Sequence, residues 1–134
     1  MASPESLELA QAWLAKAGSD LETAILLITG DQKHLNTGSH HCQQAAEKEL
    51  KGWLTAKEIV FPKTHSLEEI LALCIPSNPG FAGFREHCEQ LTPLVHEFRY
   101  PSQLAEPDPP RAASVLQLAG EVYSFCKQQL RSAT

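Results

Sequence analysis

His40-His41-Cys42-Gln43-Gln44-Ala45-Ala46-Glu47-Lys48-Glu49-Leu50-Lys51-Gly52-Trp53-Leu54 reads as a helix with one apolar side. Cys42, Ala45, Ala46, Leu50, Trp53 and Leu54 recur at three- and four-residue steps, which stacks them on one face and leaves Lys48, Glu49 and Lys51 for the solvent side. The small residues among them allow a second helix to approach closely. Upstream, Gly30-Asp31 opens a polar connection that runs through His34 and Asn36 to Gly38, so this helix is expected to begin about Ser39. Before the connection, Ser3-Pro4 has the form of an N-cap followed by proline at the first helical position. Leu7, Ala10, Trp13, Leu14, Ala17, Leu21, Ala24, Ile25 and Ile28 then form a long stripe, with Gly18 its weak point and a stop near Gly30.

Downstream, Phe61-Pro62 ends a link, and Thr64-His65-Ser66-Leu67 followed by Glu68-Glu69 sets a capping hydroxyl before an acidic first turn. A short third helix is expected to reach about Ile75. Pro76-Ser77-Asn78-Pro79-Gly80 breaks the pattern, and Phe81, Phe84, Cys88, Leu91, Val95 and Phe98 resume helical spacing. Pro93 lies inside that fourth pattern and predicts a kink or break. Arg99-Tyr100-Pro101 closes it, Pro107, Pro109 and Pro110 make the next loop stiff and extended, and a last helix starts from about Arg111 with Ala112, Leu116, Ala119, Val122, Tyr123, Cys126 and Leu130 on its apolar side. The expected fold is all-α, an up-and-down bundle of about four to five helices in a single domain spanning residues 1–134.

Composition agrees with that reading. Of 134 residues, Leu and Ala supply 18 and 16 while Val and Ile supply 4 and 5, a balance that favours helix formers over strand formers. The net charge of −5 repels polyanions, so contact with RNA or DNA requires a local basic patch. No stretch approaches the roughly 18 to 20 apolar residues that span a bilayer, and the acidic start lacks a targeting pattern, so a chain with no membrane partner in the cytoplasm is expected. The four cysteines, Cys42, Cys74, Cys88 and Cys126, form no CxxC pair and fall within helical patterns, which predicts free, partly buried thiols.

Three constellations bear on chemistry. His40-His41-Cys42 and His87-Cys88 carry ligand types for zinc or copper, but adjacent helical residues point about 100° apart, so core cysteines flanked by solvated histidines are the simpler reading and no metal is assigned. His96-x-x-Arg99, followed by Tyr100, combines a histidine able to move a proton with a guanidinium able to hold phosphate, the needs of a metal-independent ribonuclease. The simpler account has Arg99 cap a helix end or pair with a carboxylate such as Glu47. Lys48, Lys51, Lys57 and Lys63 make a modest positive strip, interrupted by Glu47, Glu49 and Glu58 as in an ordinary solvated face.

The segment from His40 to Leu54 resembles the second-helix signature of HEPN domains, H-x-x-Q-Q-A-x-E-K-x-L-K. Phe61-Pro62-Lys63-Thr64-His65-Ser66-Leu67 is similar to that family's F-P-x-T-H-x-L segment, and Phe98-Arg99-Tyr100-Pro101 to its late A/F-R-Y-P element; a closing amphipathic helix follows in the same order. The resemblance covers nearly the whole chain. It implies a helical bundle, a homodimer, no cofactor, and a place beside a minimal nucleotidyltransferase in a toxin-antitoxin-like module, with nucleotide or RNA as a further ligand. It marks Gln43, Gln44, Glu47, Lys48, His65, Arg99 and Pro101 as the structural motif, and Arg99, Tyr100, Lys48, Lys51 and Gln44 as candidates for nucleotide or RNA contact.

Ribonuclease members of the family carry a histidine four to six residues after their arginine. Here Arg99 is followed by Tyr100, Pro101, Ser102, Gln103, Leu104, Ala105 and Glu106, with no histidine. The reading that results is a HEPN interaction protein, with a ribonuclease toxin that uses Arg99 and a non-standard His96 or His41 as the alternative. A bond from Glu47 or Gln44 to Arg99, tying the fourth helix to the second, is expected as the structural use of both motifs.

Overall fold

The computed structural model describes residues 3–95 and 107–133. The first helix, α1 (Pro4–Thr29), starts as expected: Ser3 accepts the backbone N–H of Ser6 at 3.1 Å, and Pro4 occupies the first turn, where its missing donor costs nothing. Gly30 ends it by donating its N–H to Leu26.

The second helix, α2 (Leu35–Ala56), starts four residues before the expected Ser39. Gly38 does not break the chain there; it lets two helices meet. A Cβ at Gly38 would stand 2.7 Å from Cγ1 of Ile28, and one at Gly52 would stand 3.1 Å from Cβ of Trp13. These contacts pair the end of α1 with the start of α2 and the start of α1 with the end of α2, an antiparallel hairpin.

The short helix α3 (Leu67–Cys74) is capped by Ser66, whose hydroxyl accepts from Glu69 N–H. The expected fourth helix is divided. Residues Pro79–Phe84 form a 3₁₀ turn, set by the Asn78 carboxamide accepting from Gly80 N–H at 3.0 Å; α4 covers only Arg85–Leu91, and Thr92–Val95 is again 3₁₀. Gly80 and Gly83 weaken the start of that pattern and Pro93 ends it. Phe98 lies outside the described residues.

The last helix, α5 (Pro109–Ala133), begins before Arg111 because Pro109 and Pro110 open it rather than extend a loop. Asp108 accepts the Arg111 N–H at 2.9 Å, so the prolines sit where helical donors are not required. Among the described residues there are five α-helices and no strand, an all-α up-and-down bundle. α5 packs against both α1 and α2, while α3 and α4 pack against α2 and each other, and α4 also meets α5.

One continuous core joins all five helices, centred on Leu50, Leu54, Leu67, Ile70, Phe81, Leu91 and Val115. Phe81 packs between Trp53 and Phe125 with ring centroids 5.2 and 4.9 Å apart, in the tilted and edge-on geometries aromatic rings favour. All four cysteines are free and fully buried, not partly buried as expected. Burial pushes the thiols of Cys42, Cys74 and Cys88 up to about 12. Among the described residues, no helix is long and apolar enough to cross a membrane.

The solvent side assigned to α2 needs correction. Glu49 is completely buried, Lys51 is 9% exposed, and Glu47 is 7% exposed. The reason is that α2 is the central helix: α1, α3, α4 and α5 all pack against it, and little of its circumference remains for water.

Candidate functional site

Gln43, Glu47 and Lys51 follow one another at four-residue spacing, so their side chains line up along α2. Glu47 is the centre of this row. Its Oε1 accepts from Gln43 Nε2 at 3.2 Å and from His65 Nδ1 at 3.0 Å, and its Oε2 accepts from Lys51 Nζ at 3.0 Å. Gln44 extends the network by donating from Nε2 to the side-chain Oε1 of Gln43 at 2.7 Å. Burial would raise the Glu47 carboxyl, but hydrogen bonds from His65, Lys51 and Gln43, with the Lys51 charge, outweigh it and hold the group below its ordinary value.

The connector between α2 and α3 supplies the rest. Phe61 lies under Lys51, whose ammonium is 5.7 Å from the ring centroid, close enough for a cation–π attraction. Thr64 accepts the Ser66 N–H, turning the chain so that His65 faces Glu47 while Ser66 caps α3. Thr92, just past α4, accepts the Leu67 N–H and donates to Glu68. The end of the connector that enters α3 is therefore held from two sides, to α2 through His65 and to the turn after α4 through Leu67.

A second polar cluster bridges α1 and α2. Asp20 takes His41 Nδ1 at 2.9 Å on one oxygen and Lys48 Nζ at 2.5 Å on the other. Next to it, His40 Nδ1 donates to the Leu94 carbonyl at 3.1 Å, which joins α2 to the 3₁₀ turn after α4. Beside Lys48 a groove of about 310 Å³ is lined by Leu9, Ala12, Trp13, Lys16 and Lys48.

The expected motif residues thus separate into two groups. Gln43, Gln44, Glu47, Lys51 and His65 meet in the first cluster; His41 and Lys48 meet in the second. His96, Arg99, Tyr100 and Pro101 lie outside the described residues, as does the expected bond from Glu47 or Gln44 to Arg99. The lysine strip divides in two: Lys48 pairs with Asp20 and Lys51 with Glu47, whereas Lys57, 4.9 Å from the Trp53 ring centroid, and Lys63 are solvent-exposed as expected.

The histidine–cysteine neighbours point apart. Cys42 and Cys88 enter the core, while His87 Nε2 lies 2.8 Å from Glu121. The described His, Cys, Asp and Glu side chains form no group of three or more placed to share one ion.

Two residues escape a reading from sequence. Asp20 is an ordinary polar position on α1 whose role exists only through its partners on α2. Glu49 occupies a variable position of the signature, yet both its oxygens are buried with no hydrogen-bond partner. Burial, with the Asp20 charge adding to it, drives its carboxyl well above the ordinary range, which favours the protonated form.

Chemically, the first cluster is a neutralised, internally bonded lock. The second orients an imidazole by a carboxylate beside a cation, an arrangement that fixes a tautomer.

A sequence model described as HEPN domain matches residues 10–129. The chain is also similar to the crystal structure of TT1696 from Thermus thermophilus, at 26% identity and a TM-score of 0.75, covering 89% of this chain and 96% of that one. ST0689, an archaeal HEPN homologue, shares 25% identity at a TM-score of 0.70 over 90% of this chain and 97% of its own. No curated protein matches significantly by sequence.

Proposed function

The chain belongs to the HEPN domain family, and from that premise we propose that it acts as a dimeric interaction module, the partner of a small nucleotidyltransferase in a toxin-antitoxin-like pair in the cytoplasm. The observation that carries this reading is the state of Glu47: its oxygens are taken by Gln43, Lys51 and His65, so the motif's polar side chains serve to hold α2 and the α3 connector as a rigid platform. A buried charge whose partners all lie within the fold is suited to specifying shape rather than to turning over a substrate. The missing histidine after Arg99 points the same way. Nucleotide or RNA contact belongs to Arg99 and Tyr100 with Lys48, Lys51 and Gln44, the two lysines approaching an anion from their pairs with Asp20 and Glu47.

Co-expression with the product of a neighbouring minimal nucleotidyltransferase gene tests the proposal. A complex of fixed ratio is expected, together with normal growth and intact RNA when this chain is expressed alone. Growth arrest abolished by Arg99→Ala would overturn it.

That second result is the signature of the alternative, a metal-independent ribonuclease toxin using Arg99 with His41 or His96. The Asp20–His41 contact favours it, because a carboxylate on Nδ1 orients the imidazole for proton transfer at Nε2. In that case His41→Ala would abolish RNA cleavage and Asp20→Asn would reduce it.

A further inference from the structure

The outer face of α1 carries a charge order that no internal contact uses. At 100° per residue, Glu5, Leu9, Ala12 and Lys16 fall in one narrow stripe, with Trp13 beside it. Leu9 is 56% exposed and helps line the groove with Ala12, Trp13 and Lys16. Glu5 and Lys16 are exposed at opposite ends of the stripe, three turns or about 16 Å apart, and neither has an ion-pair partner among the described residues.

We propose that this stripe is the contact between two copies of the chain, their α1 helices crossing antiparallel about a two-fold axis between Leu9 and Ala12. The inference rests on the dimeric reading above and names the surface. An antiparallel crossing there sets Lys16 of each copy opposite Glu5 of the other, and Leu9 of each over the small Ala12 of the other. Every residue of the stripe then has a complementary residue in the second copy, which is the requirement of an isologous interface. A foreign helix of uniform charge would match only one end of the stripe. The groove beside Trp13 receives the exposed Leu9 side chain, removing apolar surface from water.

Sedimentation velocity over a concentration series tests this on the full chain. The wild type is expected to dimerise. Leu9→Glu should weaken association by at least about tenfold, about 1.4 kcal/mol, with an unchanged helical circular dichroism spectrum, since the side chain contributes to no core contact. Glu5→Lys and Lys16→Glu should each weaken it severalfold. The double variant E5K/K16E should restore it, because reversing both ends re-forms both pairs. A dimer indifferent to Leu9→Glu, or a double variant no better than the singles, would overturn the proposed surface while leaving the dimeric reading intact. A wild type monomeric at all concentrations would remove both.

Discussion

His65 Nδ1 lies 3.0 Å from Oε1 of Glu47, so a half-solvated imidazole on a connector closes one side of a carboxylate buried at the middle of α2. The opposite oxygen is closed by Lys51 from within the same helix. The pair decides how α3 is hung on the bundle, because His65 sits within the Thr64 turn and directly before the Ser66 cap.

Removing Glu47 while keeping its partners should be costly. Glu47→Ala leaves the Lys51 ammonium nearly buried and uncompensated, and a loss of about 3–5 kcal/mol is expected from denaturant unfolding. Replacing both by apolar residues, Glu47→Leu with Lys51→Met, should cost far less. A double variant as unstable as the single would contradict the buried-pair account.

The same carboxyl has its pKa lowered on folding, so its contribution to stability is present above the ordinary carboxylate value and is lost as pH falls through the lower folded value. Glu47→Gln should flatten the acid limb of a stability–pH curve relative to wild type.

Glu49 acts with the opposite sign. Its folded pKa is raised, so the folded state binds the extra proton, and stability declines as pH climbs above the unfolded value of 4.5 toward the folded one. Glu49→Met, similar in volume and without the unpartnered oxygens, is expected to raise the Tm, and by more at pH 8 than at pH 5. Equal gains at both pH values would show that the carboxyl is not neutral in the fold.

Gly38 and Gly120 make a controlled comparison. Gly38→Ala improves helix propensity but drives a methyl into Ile28, so a net destabilisation of about 1–3 kcal/mol is expected. Gly120 has open space around it, and Gly120→Ala should stabilise α5 by about 0.5–1 kcal/mol. Thermal unfolding of the two variants reads the difference.

Asp20 pairs with the Lys48 ammonium and the His41 ring at the partly exposed edge of the α1–α2 hairpin, where water screens the charges. Asp20→Ala should cost about 1 kcal/mol or less, with the loss shrinking as salt is raised. A salt-independent loss would mean the residue acts through packing.

Much of the fold is legible in the sequence. The apolar stripes locate all five helices, and the caps at Ser3 and Ser66 follow from residue type alone, because capping and periodicity act over a few residues. The errors share a different cause. Gly38 looks like a breaker because local propensity cannot register that Ile28 lies against it. Lys51 and Glu49 look solvent-facing because helical spacing divides a helix into faces but does not count its neighbours, and α2 is covered almost all round. His41 and Lys48 stand out in the sequence, whereas Asp20, which joins them, does not: its meaning depends on the register of an antiparallel hairpin. Arg99 and its neighbours lie outside the described residues, so their expected roles stand as proposals.

The cysteines give the bundle a set of internal reporters. Cys42, Cys74, Cys88 and Cys126 fall one each on α2, α3, α4 and α5, every one free and sealed in the core. A thiol reagent reaches such a group only when its helix opens, so four single-cysteine variants turn labelling rates into local opening free energies, helix by helix. The short α3 and α4, with few turns to hold them, should expose Cys74 and Cys88 before α2 and α5 release theirs. Uniform protection at all four positions would instead identify the domain as one cooperative unit that opens only by unfolding as a whole.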